Sequence, residues 1–238
     1  MSVASLAALG ATYLLADAAL RPQSQLFGRT IIAGYDPAEV ALTFDDGPNP
    51  AMTPALLDLL AEHGVKATFF MIGRFVRQEH ALVRRVREAG HLVGNHTATH
   101  PWLSWQSEAK IREELAGCNA ALEDATGAAV TVFRPPHGAR RPAVLRAAGE
   151  LGLATVQWNC MGKDWLPITG DQVLANLKVG TKRAQRLRRG SNLLLHDGSD
   201  AQQNADRSAT LAAVKRLLET LPAEGKRFVT ADQWATMP

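Results

Sequence analysis

In the run Leu42-Thr43-Phe44-Asp45-Asp46-Gly47-Pro48, an apolar approach (Val40, Ala41, Leu42) carries straight into two adjacent carboxylates and then a Gly-Pro stop. A buried strand that ends at a reactive rim has this pattern. Two neighbouring acids at a strand end repel, so the fold has to offset that cost with a cation or a shared proton. Successive side chains of a strand point opposite ways, which leaves Asp45 and Asp46 free to take different jobs. One can bind a metal while the other handles protons. Taken alone, Asp-Asp-Gly-Pro is equally good turn chemistry with no reactivity, so the rest of the chain has to decide.

Working outward, short apolar runs alternate with longer segments of helical period from Ile31 onward, the signature of repeated βα units. Strands are expected at 67–73, 91–94, 130–133, 154–158, 192–195 and 227–229. Helices are expected at 55–62, 81–89, 107–124, 142–149, 171–177 and 208–221. Thr53-Pro54 reads as a cap and first-turn proline, Ser107 as a cap, and Gly64, Gly90 and Gly127 as stops. In almost every unit the polar cluster follows the strand directly. Barrel enzymes assemble their sites at that rim from loops far apart in sequence.

His96 and His100 follow the third of these strands at i, i+4 spacing. On a helical turn both imidazoles would share one face, close enough for one metal. With Asp46 from another strand end they would form a two-His, one-carboxylate site with open positions. Zinc is the default ion, and cobalt, nickel or manganese also suit such donors.

At 238 residues, 46% hydrophobic and 21% charged, the chain suits one large α/β domain with a sizeable core. A net charge of +3 is too weak to indicate a nucleic-acid partner. Cys118 and Cys160 make no disulfide framework or zinc knuckle; they are core residues or a single bridge. Residues 1–28 form a separate N-terminal segment: an Ala/Leu-rich run with Asp17 as its only charge, then a linker at 21–25. It reads either as the remnant of a membrane anchor or signal, or as a helix packed on the domain. Residues 29–238 are expected to form one domain, the one that carries these rim residues and any catalysis.

Five motifs now stand in order: Thr43-Phe44-Asp45-Asp46-Gly47-Pro48, Asn95-His96-Thr97-Ala98-Thr99-His100, Arg134-Pro135-Pro136-His137-Gly138, Asp164-Trp165 and Leu193-Leu194-Leu195-His196-Asp197. With them the chain resembles the polysaccharide deacetylases of carbohydrate esterase family 4 (chitooligosaccharide deacetylase homology domain), over roughly Arg29 to Met237. The resemblance implies an α/β fold, a distorted (β/α) barrel of seven strands, and metal-dependent removal of N-acetyl groups from N-acetylglucosamine-containing poly- or oligosaccharides such as peptidoglycan or chitin. The alternatives are an esterase acting on acetylated xylan, a hydrolase of another amide, and a non-catalytic carbohydrate-binding relative.

Amide hydrolysis needs an activated water, a sink for oxyanion charge and an acid for the departing amine. The resemblance gives Asp46, His96 and His100 to the metal and Asp45 to the base. Arg134 would pair with Asp45, and the His137 backbone N–H would donate to the oxyanion. His196 would be the acid, kept protonated by Asp164, while Trp165 and Leu195 would wall the pocket for the acetyl methyl. A binding module needs no base–acid pair, so the set Asp45, Arg134 and His196 favours an enzyme.

Two positions depart from the family. His137 stands where the family carries an aromatic Tyr or Phe. Met161 replaces an acid that precedes the Asp-Trp pair and would tune the catalytic histidine. Trp102 and Trp105 are candidates to stack on sugar rings or to be buried. The basic run 182–189 reads as a solvated helix end, or as a patch for anionic wall polymers or membrane headgroups. A monomer is expected. The substrate class implies the cell envelope or the exterior, and a cytoplasmic site stays open.

Overall fold

Every residue of β1 (Glu39–Gly47) is buried, as an apolar strand covered on both faces must be. The computed structural model describes residues 15–235. β1 pairs in parallel with β2 (Thr68–Met71) on one side and β7 (Ser191–His196) on the other. β3 (Leu92–Asn95), β4 (Val132–Phe133) and β5 (Ala154–Thr155) continue the sheet beyond β2, and β6 (Cys160–Met161) lies beyond β7. The order is β5-β4-β3-β2-β1-β7-β6, seven strands in line, with β8 (Arg227–Phe228) pairing with the start of β1. β5 and β6 do not pair with each other, so the curled sheet is a barrel left open at one seam.

Around it lie α1 (Thr53–Glu62), α2 (Gly73–Val76), α3 (His80–Glu88), α4 (Glu108–Thr126), α5 (Pro142–Glu150), α6 (Gly170–Arg186) and α7 (Ser208–Thr220). The period of two along the strands sorts their side chains. Leu42, Phe44, Phe69, Met71, Leu193 and Leu195 join the helices in the main core. The opposite parity faces the barrel interior, where Phe70, Val132, Val156 and Ala231 form a second cluster. Cys118 and Cys160 are both free and buried, so they are core residues.

Local signals set the helix ends. Ser107 accepts a hydrogen bond from Lys110 N and Gly127 ends α4 in the left-handed region (φ 65°). Thr169 and Gln172 form a reciprocal capping box at the start of α6. That cap starts a helix that runs to Arg186, nine residues beyond the end of the 171–177 expected, taking in much of the basic run. Thr53 does not cap α1, since Met52 holds that position without a side-chain bond. The Thr53 hydroxyl instead donates to Asp197 Oδ2 and accepts from Asn49 N, tying the end of β1 to the end of β7.

The expected N-terminal helix falls largely outside the described residues; of it, residues 15–20 are helical. The run 21–25, expected as a linker, is bound to the domain. Buried Arg140 donates to the carbonyls of Arg21 (2.9 Å) and Ser24 (2.6 Å), and its backbone N–H donates to Ala19 O. Among the described residues, no helix is long and apolar enough to cross a membrane.

Candidate active site

The carboxyl ends of β1, β3, β4 and β7 converge on a cavity of about 610 Å³. Asp45 and Asp46 both line it, although alternation predicts opposite directions. The reason is a bulge. The β1–β2 register shifts between Asp45 and Gly47, and Asp46 takes a left-handed backbone (φ 71°), which turns its side chain back toward the cavity. Asp46 Oδ1 then lies 3.4 Å from His96 Nε2 and 3.2 Å from His100 Nε2.

The two histidines do not meet through helical spacing. Residues 96–100 are an irregular loop, with Thr97 (φ 67°) and His100 (φ 66°) left-handed. Asn95 Oδ1 accepts from Thr97 N, the Thr97 hydroxyl accepts from His100 N, and buried Glu114 of α4 accepts from both the backbone and the hydroxyl of Thr99. These bonds satisfy the loop's backbone groups and offset the strain of two unfavourable φ values. The i, i+4 spacing pointed to the right pair by way of the wrong conformation.

Asp46, His96 and His100 each offer one donor atom, and all three atoms lie within 4.8 Å of one another. Asp46 Oδ1 is buried with no hydrogen-bond partner. Such an atom is costly unless a cation completes it, so this donor set fits a divalent metal. His96 Nδ1 donates to Arg134 O at 2.8 Å, fixing the tautomer that leaves Nε2 free for the metal. His100 Nδ1 stands 3.3 Å from Asp200 Oδ2, an orienting carboxylate that the sequence reading missed. Burial disfavours the Asp46 charge, but the neighbouring His96, His196 and His100 imidazoles hold its carboxyl well below the usual range.

Asp45 sits beside this set, its Oδ1 2.7 Å from Arg134 Nη1. Arg134 is fully buried, stacked 4.2 Å over the Phe70 ring, and also donates to the Thr43 hydroxyl and to Gln157 O. Across the cavity, His196 Nδ1 donates to Asp164 Oδ1 at 2.9 Å. Asp164 Oδ2 accepts from the His196 backbone N–H (2.8 Å) and the Thr210 hydroxyl (2.6 Å). Thr210 lies in α7, far from any motif, and nothing in its own segment points to the site. Burial pushes the His196 imidazole down, but the Asp164 carboxylate, with Asp46 and Asp45 adding to it, lifts it to about 9. Met161 lines the cavity and takes no part in this pairing.

Leu195, expected in the pocket wall, belongs to the helix-side core. Its neighbour Leu194 lines the cavity, since the parity of β7 that puts His196 at the site also puts residue 194 there. Trp165 does line it, edge-on to the His196 ring (centroids 5.2 Å apart). On the opposite wall, Trp102 stacks on His137 (4.0 Å, 14°), and His137 meets His100 edge-on. Burial and the neighbouring His100 lower the His137 imidazole to about 4, so this departure from the family adds no charge. Trp105 is 84% exposed at the mouth of this wall.

An open parallel barrel whose carboxyl rim gathers an Asp-His-His set able to hold a metal, a carboxylate paired with a buried arginine and an imidazole paired with a buried carboxylate has the parts that metal-assisted hydrolysis requires. The family pattern described as polysaccharide deacetylase matches residues 34–156, just over half of the chain. The chitooligosaccharide deacetylase of Sinorhizobium fredii is 39% identical over 203 residues, 81% of this chain and 90% of that protein. A peptidoglycan-N-acetylglucosamine deacetylase of Bacillus cereus is 37% identical over 196 residues, 82% of this chain and 86% of that one. The crystal structure of the Bc1960 peptidoglycan N-acetylglucosamine deacetylase superposes with a TM-score of 0.77 at 32% identity, covering 85% of this chain and 91% of that one. The chain belongs to the polysaccharide deacetylase family.

Proposed function

We propose that the protein is a metal-dependent N-deacetylase of saccharides containing N-acetylglucosamine. The observation that carries this reading is the placement of a paired base and a paired acid on opposite sides of one metal-ligand triad. Relatives named for chitooligosaccharide and for peptidoglycan N-acetylglucosamine support the N-acetyl substrate over an O-acetyl ester, and the peptidoglycan names support an envelope site of action.

A divalent ion on Asp46, His96 and His100, zinc by the choice of donors, would polarise the acetyl carbonyl and acidify a water. Asp45, held by Arg134, takes a proton from the attacking water as its oxygen bonds to the carbonyl carbon. The His137 backbone N–H donates to the oxyanion that develops. His196, kept as an imidazolium by Asp164, gives its Nε2 proton to the amide nitrogen as the C–N bond breaks. The products are acetate and a free amine on the sugar. Leu194 and Trp165 enclose the acetyl methyl.

The test is acetate release from N-acetylglucosamine oligomers by chelated protein and by protein reloaded with zinc or cobalt. Activity should vanish on chelation and return with metal. Metal-bound protein that releases no acetate from any N-acetylated oligomer or from peptidoglycan would overturn the reading.

The acid carries its own pH signature. With His196 at about 9 against an ordinary 6.5, the alkaline limb of the rate profile reports loss of its proton. Asp164→Asn removes the carboxylate that raises it, so that limb should move toward neutral pH while the acidic limb stays. The linkage has the same sign for stability. A raised folded pKa contributes stability that is full below about 6.5 and is lost as pH rises through about 9. Urea unfolding at pH 6 and pH 10 should therefore show the variant's deficit shrinking at the higher pH.

A further inference from the structure

We propose that the C-terminal half of α6, with the cavity beside it, is a docking surface for an anionic phospholipid bilayer. Between Asp171 and Asp197 the chain has no acidic residue, and it places Lys178, Lys182, Arg183, Arg186, Arg188 and Arg189 there. Among the described residues none of these six lies within ion-pair distance of a carboxylate, whereas most other arginines on the helices do. Val179, Lys182, Arg183, Arg186 and Leu187 recur at i, i+3, i+4, i+7 and i+8, one face of one helix. Val179 is 73% and Leu187 59% exposed.

The mixture selects the occupant. An acidic polymer is met by cations alone, and exposed aliphatic side chains among them would add nothing. Cations interleaved with exposed Val and Leu match an interface where phosphates lie above acyl chains.

The surface has depth as well. A cavity of about 350 Å³ opens beside α6, lined by Arg183, Leu187, Arg189, Tyr35 and Trp234 and by no acidic residue. Arg189 stacks 3.8 Å over the half-exposed Tyr35 ring, an aromatic–arginine pair that suits a headgroup phosphate above an apolar floor. A second hollow on the same face, lined by Lys163, Lys182, Arg183 and Arg186, shares Met161 with the active-site cavity. Docking would therefore hold the catalytic mouth beside the bilayer surface, facing saccharide close to the membrane. None of the six cations belongs to the catalytic machinery, so the proposal does not depend on the deacetylase reading.

The experiment is co-sedimentation of the full-length protein with phosphatidylcholine vesicles, with and without phosphatidylglycerol, beside soluble dextran sulfate as an acidic polymer. Binding is expected only to vesicles with the anionic lipid, and it should fall as salt is added. Lys182→Gln/Arg186→Gln/Arg188→Gln should weaken it about a hundredfold, at roughly fivefold per cation removed. Val179→Ser/Leu187→Ser should weaken vesicle binding and leave dextran sulfate binding unchanged. Melting temperature and acetate release from a soluble oligomer should stay at wild-type values in both variants. No binding to anionic vesicles, or equal binding by the triple variant, overturns the proposal. Polymer binding without vesicle binding overturns it in favour of a wall polymer.

Discussion

Asp45→Asn is expected to lower acetate release by about a hundred- to ten-thousandfold, the range for loss of a positioned general base. The substitution keeps the shape of the side chain and an oxygen for Arg134 to donate to, but removes the proton acceptor. Asp46, His96 and His100 are untouched, so zinc affinity should stay within about tenfold, measured by competition with a chromogenic chelator. The two readouts separate base from ligand. If Asp45 were a fourth metal donor, affinity and rate would fall together. A variant that keeps more than a tenth of the wild-type rate would remove Asp45 from the proton-transfer role.

Arg134→Met should have the larger effect on stability. The guanidinium is completely buried and is the cation paired with Asp45. Its loss leaves two adjacent carboxylates in the barrel mouth without their buried guanidinium partner, and it strips the donors from Thr43 Oγ1 and Gln157 O. Breaking a buried pair from one side costs about 3–5 kcal/mol. For a domain of this size that is a fall in melting temperature on the order of 10 °C. Calorimetry of the metal-loaded protein would show it, and a melting curve that overlays the wild type would contradict the account. Activity should fall as well, because Met cannot hold the Asp45 carboxylate in place. Arg134→Lys should recover little of either, since one ammonium cannot reach Asp45, Thr43 and Gln157 at once as the planar fork does.

What could be read from the sequence was whatever sits where strand meets loop. Asp45, Asp46, His96, His100, Arg134, Asp164 and His196 each follow an apolar run or stand in an ordered motif; the structure sets five of them around one cavity, with Arg134 behind Asp45 and Asp164 behind His196. Two kinds of information were illegible. One is backbone geometry that breaks a period: the bulge at Asp46 reverses the direction that alternation predicts, and the left-handed residues Thr97 and His100 bring the two imidazoles together without the helical turn their spacing implied. The other is support across the fold. Asp200 on His100, Thr210 on Asp164 and Glu114 on Thr99 come from segments whose own sequence has no reason to mention the site. Leu195 is a different case. The strand's parity was available from His196, the next residue, and applying it would have selected Leu194, two residues before that histidine. The short strand β6 was missed because two residues carry no period at all.

Arg134 holds both halves of the centre, its carbonyl on His96 and its guanidinium on Asp45. The separation between the His96 imidazole and the Asp45 carboxylate is thus spanned by the covalent frame of a single residue. Any displacement of the backbone at Arg134 carries the two groups together, and their relative tolerance becomes that of one side chain's torsions. A mutation elsewhere in the sheet can then shift the whole centre without misaligning it, which gives the surrounding strands latitude to vary that the site itself does not have.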